Sequence, residues 1–130
     1  MDSALINMDA ITLFVADRDR AKAFYVNVLD LQPVFEDESS VAFRLKNIIV
    51  NLLIVPEAVY LIAPGRVGAQ DAGARFQLTV GVENVDAVAA ELGRRGVSLL
   101  NGPMDRPWGI RTACFADPDG HIWEIAHPLT

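Results

Sequence analysis

The chain has 130 residues, 52% of them hydrophobic, enough for one domain with a buried core and too apolar for a disordered polymer. Eleven basic against 17 acidic residues give a formal net charge of -6, which leaves no basic stripe for nucleic-acid phosphates. One cysteine excludes a disulfide framework and a thiolate cluster, and no run reaches the roughly 20 apolar residues of a membrane span.

Met1 to Asp9 carry two acids and no basic cluster, so they do not read as a leader, and a cytoplasmic location is expected. Ile11, Leu13 and Val15 alternate with Thr12, Phe14 and Ala16, the period of a strand. Asp17 is a helix cap, and Ala21, Phe24, Tyr25 and Val28 make an apolar stripe, which predicts a helix over Arg18 to Val28. Leu29-Asp30-Leu31 ends it. Val34-Phe35 opens a strand after Pro33, and Val41 to Leu45 and Ile48 to Val55 form two more around Lys46-Asn47. Residues 56–74 hold Pro64-Gly65, Gly68 and Gly73 and read as a flexible linker. Within it Tyr60-Leu61-Ile62 either folds against a pocket or partner subunit or anchors a surface loop.

The second half repeats this order. Phe76 to Val82 is a strand, Asn84 stands where Asp17 stood, and Val85, Val88 and Leu92 give the stripe of a helix over Val85 to Arg94. Arg94 and Arg95 suit that helix's C-terminal end, and Gly96 terminates it. Val97 to Leu100 is read as the next strand, Asn101 to Gly109 as a long loop, Arg111 to Ala116 as a strand, and Ile122 to Ala126 as the last, after the Pro118-Asp119-Gly120 turn. Val15 and Asp17 match Val82 and Asn84 at one constant offset, the mark of a duplicated βαβββ unit. The expectation is a single α+β domain spanning 1–130, with units at 9–55 and 75–127.

The chain resembles the vicinal oxygen chelate superfamily, which includes glyoxalase I, bleomycin-resistance proteins, fosfomycin-resistance proteins and extradiol dioxygenases. The likeness rests on Ile11-Thr12-Leu13-Phe14-Val15-Ala16-Asp17, on Ala23-Phe24-Tyr25 with Val28-Leu29, on Pro107-Trp108-Gly109, and on Asp117-Pro118-Asp119-Gly120 with Glu124-Ile125. It implies tandem βαβββ units whose curved mixed sheets surround a cavity, and commonly a homodimer. Metal-dependent members place ligands at four positions, which fall here on Ala10, Asn51, Gln77 (or Arg75, if the register slips by two) and Glu124. Only Glu124 keeps a ligand-type side chain. First-row divalent metals want imidazole and carboxylate donors, so no metal and no cofactor are expected.

Glu124 lies in a strand between Trp123 and Ile125, and a carboxylate there needs a partner, a metal or an open cavity. Strand parity puts Ile122 on its face, with Trp123 and Ile125 beneath the helices. By the duplication Asn51 faces the cavity from the first unit, Thr12 and Phe14 line one wall, and Gln77 and Thr79 the other. Glu124 would accept from Asn51, from Gln77 or from a cationic ligand; alternatively these side chains only satisfy one another. Trp108 either walls the pocket mouth or plugs the end of a sheet, and Arg106 or Arg111 beside it could hold a carboxylate or phosphate. His121 and His127 are out of phase with Glu124, and Cys114 reads as a small buried hydrophobe.

Three functions compete: a metal-free small-molecule binder of the bleomycin-resistance type, a glyoxalase-like lyase or isomerase or a dioxygenase-like enzyme with Glu124 as candidate catalytic base, and a structural dimer without ligand. The missing donors and the apolar cavity expected around one carboxylate favour the binder. The partners expected are a small-molecule ligand and a second copy, with neither nucleic acid nor membrane.

Overall fold

Alternation along the strands sorts the side chains of each half onto two sheet faces, and one face of each is sealed by a helix. The computed structural model describes residues 3–130; Met1 and Asp2, the start of the segment read as carrying no leader, lie outside the described residues. The chain divides between Ala69 and Gln70 into two compact units.

In the first unit β1 (Ala10–Val15), β2 (Pro33–Glu36), β3 (Ser40–Arg44) and β4 (Ile49–Ile54) form a four-stranded mixed sheet, ordered β1-β4-β3-β2. β1 runs parallel to β4, and the other neighbours are antiparallel. The Asp17 carboxylate accepts from the Arg20 N–H at 2.9 Å and starts α1 (Arg18–Ala23). The predicted helix continues to Val28, but its last five residues, Phe24–Val28, wind as a π-helix, in which the Leu29 N–H reaches back to the Phe24 carbonyl. Asp30, at φ 58°, then turns the chain out. Leu13, Val15, Val41, Phe43, Val50 and Leu52 are buried with Ala21 and Tyr25, and the Tyr25 and Phe43 rings lie 5.6 Å apart.

A second helix, α2 (Val55–Ile62), occupies the first part of the segment read as a flexible linker. Pro56 is tolerated in its first turn, where N–H groups have no helical acceptor, and Glu57, Ala58 and Leu61 are good helix formers. Ala58 is its buried residue; Tyr60 is 81% exposed.

The second unit repeats the architecture: β5 (Gln77–Gly81), β6 (Asn101–Asp105), β7 (Ile110–Ala116) and β8 (Ile122–Pro128) are ordered β5-β8-β7-β6, with β5 parallel to β8. α3 spans Val85–Arg94 as expected, capped by Asn84, whose side-chain oxygen accepts from the Ala87 N–H at 3.0 Å. Gly96, at φ 91°, ends it, with the Val97 N–H bonded to the Leu92 carbonyl. Val85, Ala89 and Leu92 of this helix are buried, as are Ala113, Phe115, Trp123 and Ile125 on the sheet face beneath it.

The strand expected at Val97 to Leu100 is absent, and the residues read as a loop, Asn101–Asp105, form β6 instead. Asn101-Gly102-Pro103 has the composition of a turn. It serves as an edge strand because β6 shifts register against β7 between Asn101 and Met104, and an edge tolerates a proline that lacks a donor. Gly102 sits at φ 84°, and a Cβ there would collide with the Thr112 carbonyl oxygen and lie 2.7 Å from the Ala113 Cα, so this close approach needs glycine.

Candidate functional site

With Trp123 and Ile125 turned to α3, the opposite face of the second sheet carries Gln77 and Thr79 from β5, Glu124 from β8, and Thr112 and Cys114 from β7. The ladders set this row: Thr79 stands opposite Glu124, and Glu124 opposite Cys114. Glu124 is 8% exposed, and its Oε1 accepts a hydrogen bond from the Thr79 hydroxyl at 3.0 Å. The Gln77 amide nitrogen lies 3.5 Å from the Thr79 Oγ1, so the expected donor to Glu124 is one step removed.

Cys114 is buried, and burial first, then the Glu124 charge, pushes its thiol above the ordinary value, with Arg106 and Asn101 opposing. A raised thiol is a poor nucleophile. Asn101 escapes sequence reasoning because its place on this face depends on the shifted register of the β6–β7 hairpin, while Cys114 is set opposite Glu124 by the regular β7–β8 ladder. Asn101 stands opposite Cys114 in the β6–β7 pairing.

The Arg106 Nε donates to the Thr112 Oγ1 at 2.9 Å and its Nη2 to the Asn101 Oδ1 at 3.3 Å. Trp108 occupies the turn between β6 and β7, 68% exposed, with the Arg106 guanidinium carbon 6.0 Å from its ring centre. Arg111, expected at the ligand, is placed elsewhere. It follows the parity of Ala113 and Phe115, and its guanidinium is held by Asp86 of α3 at 2.7 Å and Asp105 at 2.8 Å. Those carboxylates raise its pKa, and it in turn lowers that of Asp86.

Both histidines are occupied away from Glu124. The His121 Nδ1 lies 2.8 Å from Asp117 Oδ2, while Asp117 Oδ1 accepts from the N–H groups of Asp119 and His121. Burial works against the charged ring, but the Asp117 hydrogen bond and the Asp117 and Asp119 charges outweigh it, so the His121 pKa is raised. The His127 Nδ1 accepts from the Val85 N–H at 2.9 Å, at the first turn of α3. The Asp117-Pro118-Asp119-Gly120-His121 segment is therefore a self-bonded turn that launches β8.

In the first unit Thr12 stands opposite Asn51 and Phe14 opposite Leu53, half-buried on the sheet face away from Leu13 and Leu52. A shallow depression at the start of α1 is lined by Asp17, Arg18, Asp19, Asp37 and Glu38. There Arg18 is neutralised by Asp19 and Glu36, and Asp37 is occupied by the Ser39 and Ser40 amides.

The four family metal positions do not suit a metal. Ala10 offers no donor atom, Asn51 and Gln77 offer neutral amides, and Glu124 Oε1 already takes the Thr79 proton. Among the described residues no group of three His, Cys, Asp or Glu side chains is placed to hold an ion.

Over residues 7–125 the chain matches the family described as Glyoxalase/Bleomycin resistance protein/Dioxygenase superfamily. It is 41% identical over 56 residues to the uncharacterized protein YraH of Bacillus subtilis (strain 168), a match covering 42% of this chain and 44% of that protein. The match thus spans less than half the length of that curated relative. Among solved structures, a glyoxalase-related enzyme from Fulvimarina pelagi is similar at TM-score 0.80 and 25% identity, over 94% of this chain and 88% of that one. TnmS3, an antibiotic binding protein from Streptomyces sp. CB03234, is similar at TM-score 0.75 and 25% identity, over 98% of this chain and 99% of its own. No helix among the described residues is long and apolar enough to cross a membrane.

Proposed function

This chain belongs to the glyoxalase/bleomycin resistance protein/dioxygenase superfamily, and we propose that it is a cytoplasmic binding protein for a small molecule, taken up on the Glu124 face of the second sheet without a catalytic metal. One observation carries the reading. Glu124 is nearly buried, yet it accepts one hydrogen bond from the protein, that of Thr79. A carboxylate offers about four acceptor sites, and the free oxygen of Glu124 is not sealed from the surface, so a ligand donor can reach it and complete a nearly buried charge. The ligand would therefore present an N–H donor or a cation to Glu124. Gln77 and Thr79 fix the carboxylate's direction, and Trp108 supplies a flat apolar wall.

We extend the proposal to Thr12, Phe14 and Asn51, which hold the corresponding face of the first sheet. TnmS3, described as an antibiotic binding protein, supports a binding role at 25% identity. A thermal-shift screen of small molecules, run on the protein and on Glu124→Gln, tests the reading. Ligands are expected whose stabilisation is lost in the variant. A broad library that shifts neither protein would sink it.

We further propose that the protein pairs as a homodimer, supported by the exposed apolar side chains Val59, Tyr60 and Leu61 of α2. Light scattering at about the mass of one chain across a wide concentration range would refute this.

A further inference from the structure

Arg106 is held differently from its ion-paired neighbours. Arg94 and Arg95 both reach Glu91, and Arg111 lies between Asp86 and Asp105. Asp105 precedes Arg106 in the chain but is turned to Arg111, and no carboxylate among the described residues pairs with Arg106. The partners it does have are neutral: the Thr112 hydroxyl at 2.9 Å, the Asn101 amide oxygen at 3.3 Å and the Trp108 ring.

A guanidinium carries five N–H donors in a planar fork. Nε and Nη2 each use one here, which leaves both hydrogens of Nη1 and the second of Nη2 on the end of the fork. Thr112 is 0% exposed, so the anchor is rigid, and Arg106 itself is half-buried. Orienting the fork has cost its entropy before any ligand arrives, while its charge has no counterion among the described residues. A planar carboxylate matches the remaining donors in a two-bond contact.

We propose that Arg106 is the anion-recognition residue of this face, taking the carboxylate of a small ligand whose apolar body lies on Trp108 and whose hydrogen-bond donor meets Glu124. The proposal rests on the Glu124 face being a ligand site and names the ligand class, a carboxylic acid that also bears a donor. Cys114 lies between the two ends, paired on one side with Glu124 and on the other with Asn101, the acceptor of the Arg106 Nη2.

The test is a titration of 15N-labelled protein with a panel of aryl carboxylic acids bearing a donor group, each beside its neutral primary amide, followed at the Arg106 Nε–H, the Trp108 indole N–H and the Glu124 amide. Acids should move all three signals and bind more tightly than their amides. Arg106→Gln should weaken the acids roughly tenfold or more and leave the amides unchanged. Arg106→Lys should restore part of the loss. Acids and amides binding alike, or acids indifferent to Arg106→Gln, would overturn the proposal and leave the binding site standing. Absence of any response on the Glu124 face to acids and amides together would overturn both. Should Arg106→Gln fail to fold, the acid-against-amide comparison in the unaltered protein decides.

Discussion

The Thr79 hydroxyl donates to Glu124 Oε1 at 3.0 Å across the parallel β5–β8 ladder, at the place where Thr12 stands opposite Asn51 in the first unit. The duplication has kept the threonine and exchanged its partner, an amide in one half and a carboxylate in the other. The half with the carboxylate also turns Arg106 to this face, bonded to Thr112 and Asn101, so the two sheets are alike in backbone and unlike in chemistry.

Glu124→Gln keeps an oxygen for the Thr79 proton and removes the charge. Folding stability should change by less than about 1 kcal/mol or rise, because a poorly bonded buried carboxylate is relieved. Binding of a ligand that presents a cation to it should weaken by about 2–3 kcal/mol. Denaturant unfolding and calorimetry check the two halves; a variant that unfolds outright would make Glu124 a core residue.

Stripping metal should leave the protein as it was. A structural ion contributes folding energy directly, and the donor set at Ala10, Asn51, Gln77 and Glu124 suits none. The unfolding midpoint in a strong chelator is expected to equal that in plain buffer. A fall restored by one equivalent of a divalent ion would contradict this.

Gly102→Ala should be costly, about 3 kcal/mol, because the methyl group meets backbone of β7 and the residue sits at positive φ. Gly109→Ala shares the positive φ but meets no atom within 4 Å, and it should cost less. Chemical denaturation of the two variants separates the collision from the backbone term.

The matched caps give a paired test. Asp17→Ala and Asn84→Ala each remove the side-chain acceptor for an amide three residues on, at 2.9 and 3.0 Å. Each should cost about 1 kcal/mol, and the double variant should show nearly the sum. A coupling well beyond experimental error would contradict independent caps.

His121 sets a pH dependence of known sign. Its folded pKa is raised above the ordinary 6.5, so its ion pair with Asp117 stabilises fully below that value and fades as pH climbs through the raised one. The stability lost in His121→Gln should therefore be larger near pH 6 than near about pH 8. NMR titration of the ring should give a midpoint above 6.5; one below it would reverse the argument.

Periodicity and capping residues were enough to place α3 and the start of α1, and strand parity was enough to set Glu124 apart from Trp123 and Ile125. What escaped was decided by register. Asn101-Gly102-Pro103 looks like a turn until a neighbouring strand accepts it with a bulge, and that pairing sets Asn101 opposite Cys114, where it accepts from Arg106. Arg106 and Arg111 are chemically equivalent in the sequence. Only the fold shows that Asp86 and Asp105 claim one of them. α2 was hidden by Pro56, which punctuates a sequence as a break while being welcome in a helix's first turn.

The outer antiparallel strands β2 and β6 share a device: each contains a proline, Pro33 or Pro103, and each shifts register beside it. Both interrupt the run of free N–H and C=O groups that a passing strand would need for pairing. Val34, Phe35 and Met104 can thus stay exposed on these two edges without offering a regular ladder for cross-β stacking.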